Sequence, residues 1–124
     1  MKDPANPVCR TISTLLSRIG DKWTVLIVAT LGEGPRRFNE LRREIPSVSQ
    51  RMLTLTLRNL ERDGLVSRTV TPTIPPRVDY ELTDLGHSLL TPITGLTQWA
   101  LNNVESIHQA QAQFDAEHDT AEAA

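Results

Sequence analysis

The chain has 124 residues, 39% of them apolar and 23% charged, with a formal net charge of −2. That length sets a single domain as the expectation, and the composition fits a globular protein rather than a fibrous or disordered one. Val25–Ala29 is among the longest apolar runs, far short of a bilayer span, and Met1–Pro7 lacks the apolar centre of a signal peptide, so a cytoplasmic location is expected. Cys9 is the single cysteine, which excludes an intramolecular disulfide and a cysteine-based zinc site.

In chain order, residues 1–8 are rich in proline and read as a disordered arm. From Cys9, the spacing of Ile12, Leu15, Leu16 and Ile19 predicts a helix that Gly20 stops. Asp21 is placed to cap a second helix, Lys22 to Leu31, with Trp23, Leu26, Ile27 and Thr30 on one face. Gly32 to Pro35 breaks it. A short third helix over 37–45 turns Phe38, Leu41 and Ile45 inward, and Pro46-Ser47-Val48 is a turn. Ser49 caps a fourth helix running to Asp63, and Gly64 suits the position just past its end.

Beyond Gly64 the period changes to two. Leu65, Val66, Arg68 and Val70 read as one strand and Val78–Leu82 as the next. Pro72, Pro75 and Pro76 lack the ladder donor, so the segment between them is a stiff hairpin tip. Thr83 opens a last helix with Asp84 in its first turn, and Pro92 is expected to kink or divide it. Ile93, Leu96, Ala100, Val104, Ile107 and Phe114 form a thin apolar stripe for which a second copy is the simplest partner. The acidic, alanine-rich residues 115–124 read as a disordered tail.

Two helices, a turn, a better-formed helix and a hairpin are the order of a winged helix. The expected fold class is therefore α+β, mostly α: a winged helix-turn-helix domain over 9–114 with N- and C-terminal dimerisation helices. Charge is segregated in the way such a protein needs. Residues 36–77 hold nine arginines against four carboxylates, a local balance of +5, while 105–124 hold five carboxylates and no lysine or arginine. Local fields rather than the total steer a phosphate backbone. In the fourth helix Leu53, Leu57 and Leu60 face the core, so Arg51, Thr54, Leu55, Arg58 and Arg62 face out, with Ser49 and Gln50 in the first turn. Arginine can grip guanine, glutamine can grip adenine, and threonine or leucine can meet a thymine methyl. Gln50, Arg51 and Thr54 are assigned to bases, with Leu55 beside them, and Arg58 and Ser49 to phosphates. Arg68 and Arg77 flank the hairpin tip and can reach a neighbouring groove or backbone. Arg36, Arg37 and Ser47 complete the expected DNA-contacting set.

The chain also resembles a known family. Cys9, Ile19-Gly20-Asp21-Lys22-Trp23-Thr24 and Gly34-Pro35-Arg36-Arg37-Phe38-Asn39-Glu40-Leu41 match the HxlR-type regulators, relatives of the MarR group. So do Ser49-Gln50-Arg51-Met52-Leu53-Thr54, Leu57 to Val66, Pro75 to Tyr80 and Leu82 to Gly86, all in one register from about Cys9 to Leu101. The resemblance implies a homodimer built from the N- and C-terminal helices, set on a pseudo-palindromic operator, acting as repressor or activator. Thr71 stands where many members carry tyrosine and Asp79 where glutamate is common, departures that bear on wing contacts.

Some relatives resemble thiol sensors with a cysteine at the position of Cys9. Here Cys9 stands beside Arg10 at a helix start, a setting that favours the reactive thiolate; a small buried apolar role is the alternative. A rival signal is a small aromatic effector near Trp23 or Trp99, although both tryptophans are more simply core or interface anchors. A winged-helix protein-interaction module without DNA binding is the other alternative. No enzyme, cofactor or metal is expected: His87, His108 and His118 are scattered, and there is no glycine-rich phosphate loop.

Overall fold

The computed structural model describes residues 5–123, with side chains through Asp119. The elements are α1 (Pro7–Ile19), α2 (Lys22–Gly32), β1 (Arg36–Arg37), α3 (Phe38–Glu44), α4 (Gln50–Arg62), β2 (Val66–Thr71), β3 (Arg77–Leu82) and α5 (Asp84–Ala123). They fall into two compact units, residues 1–93 and 94–124.

In the first unit, α1 begins where Asn6 Oδ1 accepts the Val8 N–H at 2.9 Å and Pro7 supplies a preset first turn. That cap draws Pro7 and Val8, expected in the disordered arm, into the helix; residues 1–4 of that arm lie outside the described residues. No residue of α1 is buried, and Val8 and Leu16 stand out in solvent. Asp21 caps α2 as expected, accepting from Trp23 N at 2.8 Å. The inner face of α2 differs from the sequence reading. Thr24, Ile27, Val28 and Leu31 are buried, Trp23 is half-buried against the core, and Leu26 is exposed. Val25–Ala29 is apolar on every side, so the pattern has too little contrast to choose a face.

Helix α4 is pinned by its apolar rib. Leu53, Leu57 and Leu60 are fully buried with Ile27, Leu31, Leu41 and Val66. Gly64 follows the helix with φ +77°, the left-handed value that ends it without a Cβ clash. The sheet has the order β1-β3-β2. β2 and β3 pair antiparallel from Val66↔Leu82 to Thr71↔Arg77, leaving 72–76 as the tip. β1, absent from the sequence reading, pairs Arg36 with Tyr80 and Arg37 with Asp79.

One corner joins four elements. Thr83 N donates to Leu65 O at 3.1 Å, and Thr83 Oγ1 donates to Gly64 O at 2.6 Å. The same Oγ1 accepts from Gly86 N at 3.1 Å, capping α5. Gly86 lies so close to the Leu65 carbonyl that a Cβ there would sit 2.0 Å from its oxygen. A second close approach brings Leu90 against Gly32, where a Cβ would meet Leu90 Cδ2 at 2.9 Å. Ile93, further along α5, is buried in the same core.

α5 is one continuous helix; Pro92 lies inside it and does not divide it, contrary to one of the two expected outcomes. In the second unit α5 continues to Ala123, so residues 115–123 of the segment expected to be a disordered tail are helical, and residue 124 lies outside the described residues. Gln113 Nε2 donates to Glu117 Oε1 at 3.3 Å, and Phe114 stacks on His118 at 3.8 Å, one turn on. Such pairs and the alanines favour helix where charge alone suggested fraying. Leu96, Trp99, Leu101 and Phe114 are exposed. No helix among the described residues is long and apolar enough to cross a membrane.

Gly86→Ala is expected to lower stability by about 1–3 kcal/mol or more, because its neighbour is a backbone carbonyl that cannot rotate away. Urea unfolding measures this; a midpoint equal to the parent's would refute the close packing of this corner.

Candidate DNA-contacting face

The face opposite the apolar rib of α4 carries the residues assigned to bases. Gln50, Arg51, Thr54, Leu55 and Arg58 line one shallow surface concavity. The helix holds them there by arithmetic: residues 50, 54 and 58 recur every fourth position, and 51 and 55 form the adjoining row. Ser49 is occupied as the cap, its Oγ accepting from Met52 N at 3.1 Å. It retains its hydroxyl proton for an outside acceptor such as a phosphate. Thr54 Oγ1 donates to Gln50 O at 2.9 Å, so its remaining lone pairs and methyl face outward. Leu55 is half exposed among the arginines. The side chains of Arg51 and Arg58 make no hydrogen bond or ion pair among the described residues, which leaves both guanidinium groups available.

The other assigned residues divide. Ser47 is exposed in the turn before α4, and Arg68 is exposed on β2. Arg37 ends β1 with an exposed side chain, while its backbone N–H donates to Glu40 Oε1 at 3.0 Å. Arg77 is half exposed and donates through Nε to Asp79 Oδ2 at 2.9 Å, one ladder position from the tip. Cys9 sits in the first turn of α1 with intermediate exposure.

Arg36 does not fit the expected set. Its Nε donates to Glu44 Oε2 at 2.7 Å, its Nη2 pairs with Glu33 at 3.3 Å, and its Nη1 donates to Gly34 O at 2.9 Å and Pro35 O at 3.1 Å. The hydrogen bond to Glu44 leads in holding this guanidinium protonated above its usual range, helped by the charges of Glu44, Glu33 and Glu40. Arg36 is thus turned onto its own chain, tying the loop before β1 to the end of α3. Sequence spacing could not show this, because the carboxylates that capture it lie three residues before and eight after.

The structure also adds residues. A groove between α3 and the hairpin tip is lined by Arg37, Asn39, Arg43, Thr73, Ile74 and Arg77 with their neighbours. Asn39 and Arg43 lie one turn apart on the outer face of α3, a signal present in the sequence but left unused. Ile74 at the tip is fully exposed.

Three packed helices with α4 as the outward-facing member, followed by a two-stranded wing, make this a helix-turn-helix protein of the winged type. The chain matches the model of the HxlR-like helix-turn-helix family over residues 18–108 and belongs to that family. It is 41% identical over 106 residues to the HTH-type transcriptional regulator YdeP of Bacillus subtilis, covering 86% of this chain and 83% of YdeP. Among solved structures, the redox regulator HypR in its reduced form is 39% identical with a TM-score of 0.73, covering 80% of this chain and 98% of HypR. Diamide-treated YodB from B. subtilis is 35% identical with a TM-score of 0.67, covering 78% and 96%. The protein is a transcriptional regulator of the helix-turn-helix type, as its relatives are, and not an enzyme.

Arg36→Met should lower the urea midpoint, because it strips Glu44 and Glu33 of their common partner. Arg51→Met and Arg58→Met should stay within about 0.5 kcal/mol of the parent, as substitutions at unpaired surface positions do. Equal midpoints for all three variants would contradict this division.

Proposed function

We propose that the protein binds a pseudo-palindromic operator as a homodimer, reading bases with α4 and gripping flanking backbone with α3 and the wing. The observation that carries the reading is the pairing of a fully buried leucine rib with an opposite face on which the side chains of Arg51 and Arg58 have no partner among the described residues. Gln50, Arg51 and Thr54 meet base edges, with Leu55 against a thymine methyl. Ser47, Ser49, Arg58, Arg37, Arg43, Arg68 and Arg77 meet phosphates or the adjacent groove. The functional domain runs over 9–114, and the exposed apolar residues of α1 and of α5 beyond Thr94 are the faces a second copy covers. The signal enters through Cys9. HypR is a redox regulator solved in a reduced and an oxidised form, and YodB was solved after diamide treatment. In this chain, two Cys9 thiols of a dimer would surrender two protons and two electrons to an oxidant such as diamide and join as a disulfide.

Selection of genomic fragments by the purified protein, followed by footprinting, tests the core of this. An inverted repeat should be protected, with affinity falling steeply as salt rises. Arg51→Ala should lose roughly 1–3 kcal/mol of discrimination at one base pair of each half-site, and Arg58→Ala, which removes one phosphate contact per protomer, should lower the salt slope by about two. Weak binding blind to sequence would refute operator reading and favour a protein-docking role.

Diamide should change operator affinity in the parent protein and leave Cys9→Ser unmoved. Unchanged affinity in both would remove the thiol from the mechanism and favour a small-molecule effector.

A further inference from the structure

The two faces in this reading lie on different helices. α4 carries the base-contacting residues, whereas α1 carries apolar side chains that nothing in its own unit buries. Something must fix the angle between them. Among the ion pairs of the described residues, one joins these helices: Arg18, in the last turn of α1, with Asp63, the C-cap of α4. Both side chains are mostly shielded, at 18% and 17% exposure. The facing atoms, Arg18 Nε and Asp63 Oδ2, are closed off from solvent, and neither makes a hydrogen bond with any other group. Each therefore depends on the other.

We propose that Arg18 and Asp63 are positioning residues for operator recognition: their ion pair is a strut that sets the pitch of α4 against α1, and so the spacing of two α4 helices in the dimer. The inference rests on the proposed dimer-on-operator function. Its physics is that of a lever. α4 has 13 residues and spans roughly 20 Å, so a tilt of about 5° at the Asp63 end moves Gln50 by about 2 Å. Base contacts tolerate only about 0.5 Å of such error. The leucine rib keeps α4 on the core, but apolar burial is non-directional and permits small rotations. A shielded ion pair with one partner on each side does not, since a rotation that parts the charges leaves both desolvated and alone.

The strut separates two quantities that a merely stabilising contact would move together. Affinity for one isolated half-site depends on one α4 and its own side chains. Affinity for the full inverted repeat depends also on the spacing between two of them. Arg18→Met should weaken binding to the full repeat about tenfold or more, change binding to a single half-site less than twofold, and leave the dimer dissociation constant as in the parent. Arg18→Lys, which keeps the charge, should recover most of the lost affinity. Because a lone Asp63 left shielded would also destabilise the fold, Arg18→Met/Asp63→Asn supplies a neutral pair of similar shape; it should fold and show the same selective loss.

If the parent protects an inverted repeat and these variants bind both targets as the parent does, the strut is refuted while operator binding stands. Equal losses on half-site and full repeat, tracking a fall in unfolding midpoint, would likewise overturn it as a general stability effect. If the parent protects no inverted repeat, the dimer-on-operator reading fails and the strut with it.

Discussion

The carbonyls of Gly64 and Leu65 are the point from which this fold is hung. Gly64 ends α4, Leu65 leads into β2, and both carbonyls are taken by Thr83, which closes β3 and opens α5. Gly86 then lies against the Leu65 oxygen with no room for a side chain. Two hydrogen bonds and one missing Cβ thus bind α4, the wing and the long helix into one corner. Leu65 is buried, and a buried carbonyl left without a donor costs on the order of 1–3 kcal/mol, so the end of α4 stays tied to this corner. That rigidity matters because a DNA-reading helix works by position.

Seen from that corner, the arginines do two kinds of work that composition cannot separate. Arg36 and Arg18 are held by carboxylates and shape the protein; Arg51 and Arg58 are held by nothing and face outward. Arg77 lies between these cases, half exposed yet leaning on Asp79. A free guanidinium has no ion pair to break before it meets a planar acceptor pair. One spent on Glu44 would first have to be released. Pairing Arg36 with Glu44 leaves the local excess of +5 unchanged, because both are counted in it; what the ion pair decides is where that excess stands, on α4 and in the groove of Arg37 and Arg43 beside the wing.

What was legible in the sequence was whatever a period or a stop residue encodes. Leu53, Leu57 and Leu60 declare the inner face of α4, Gly64 its end, and the change to period two the wing. The run of motifs from Ile19 to Gly86 pointed to the family. Illegible were features that depend on partners distant in the chain. β1 is two residues long, too short for any period, and exists because β3 offers it an edge. The apolar run in α2 points every way, so only packing could choose Ile27 and Val28 over Leu26. The tail beyond Phe114 looked disordered by charge, yet its i,i+4 pairs extend the helix.

Magnitudes argue that one copy is not enough. If Gln50 and Arg51 each make a good bidentate base contact, a single α4 supplies roughly 2–6 kcal/mol of discrimination. Specific regulators bind their sites about 4–10 kcal/mol more tightly than random DNA. One such helix reaches only the lower part of that range, whereas two, at roughly 4–12 kcal/mol, span it. In the proposed dimer, a second copy would also answer a separate difficulty, since Val8 and Leu16 on α1, and Trp99, Leu101 and Phe114 on α5, stand in water. Covering them and doubling the readout are met by the same association, provided the two α4 helices are held at a fixed spacing. An association that left α4 free to tilt would bury the apolar faces yet forfeit the second set of base contacts, which is why the join between α1 and α4 bears on specificity as much as on stability.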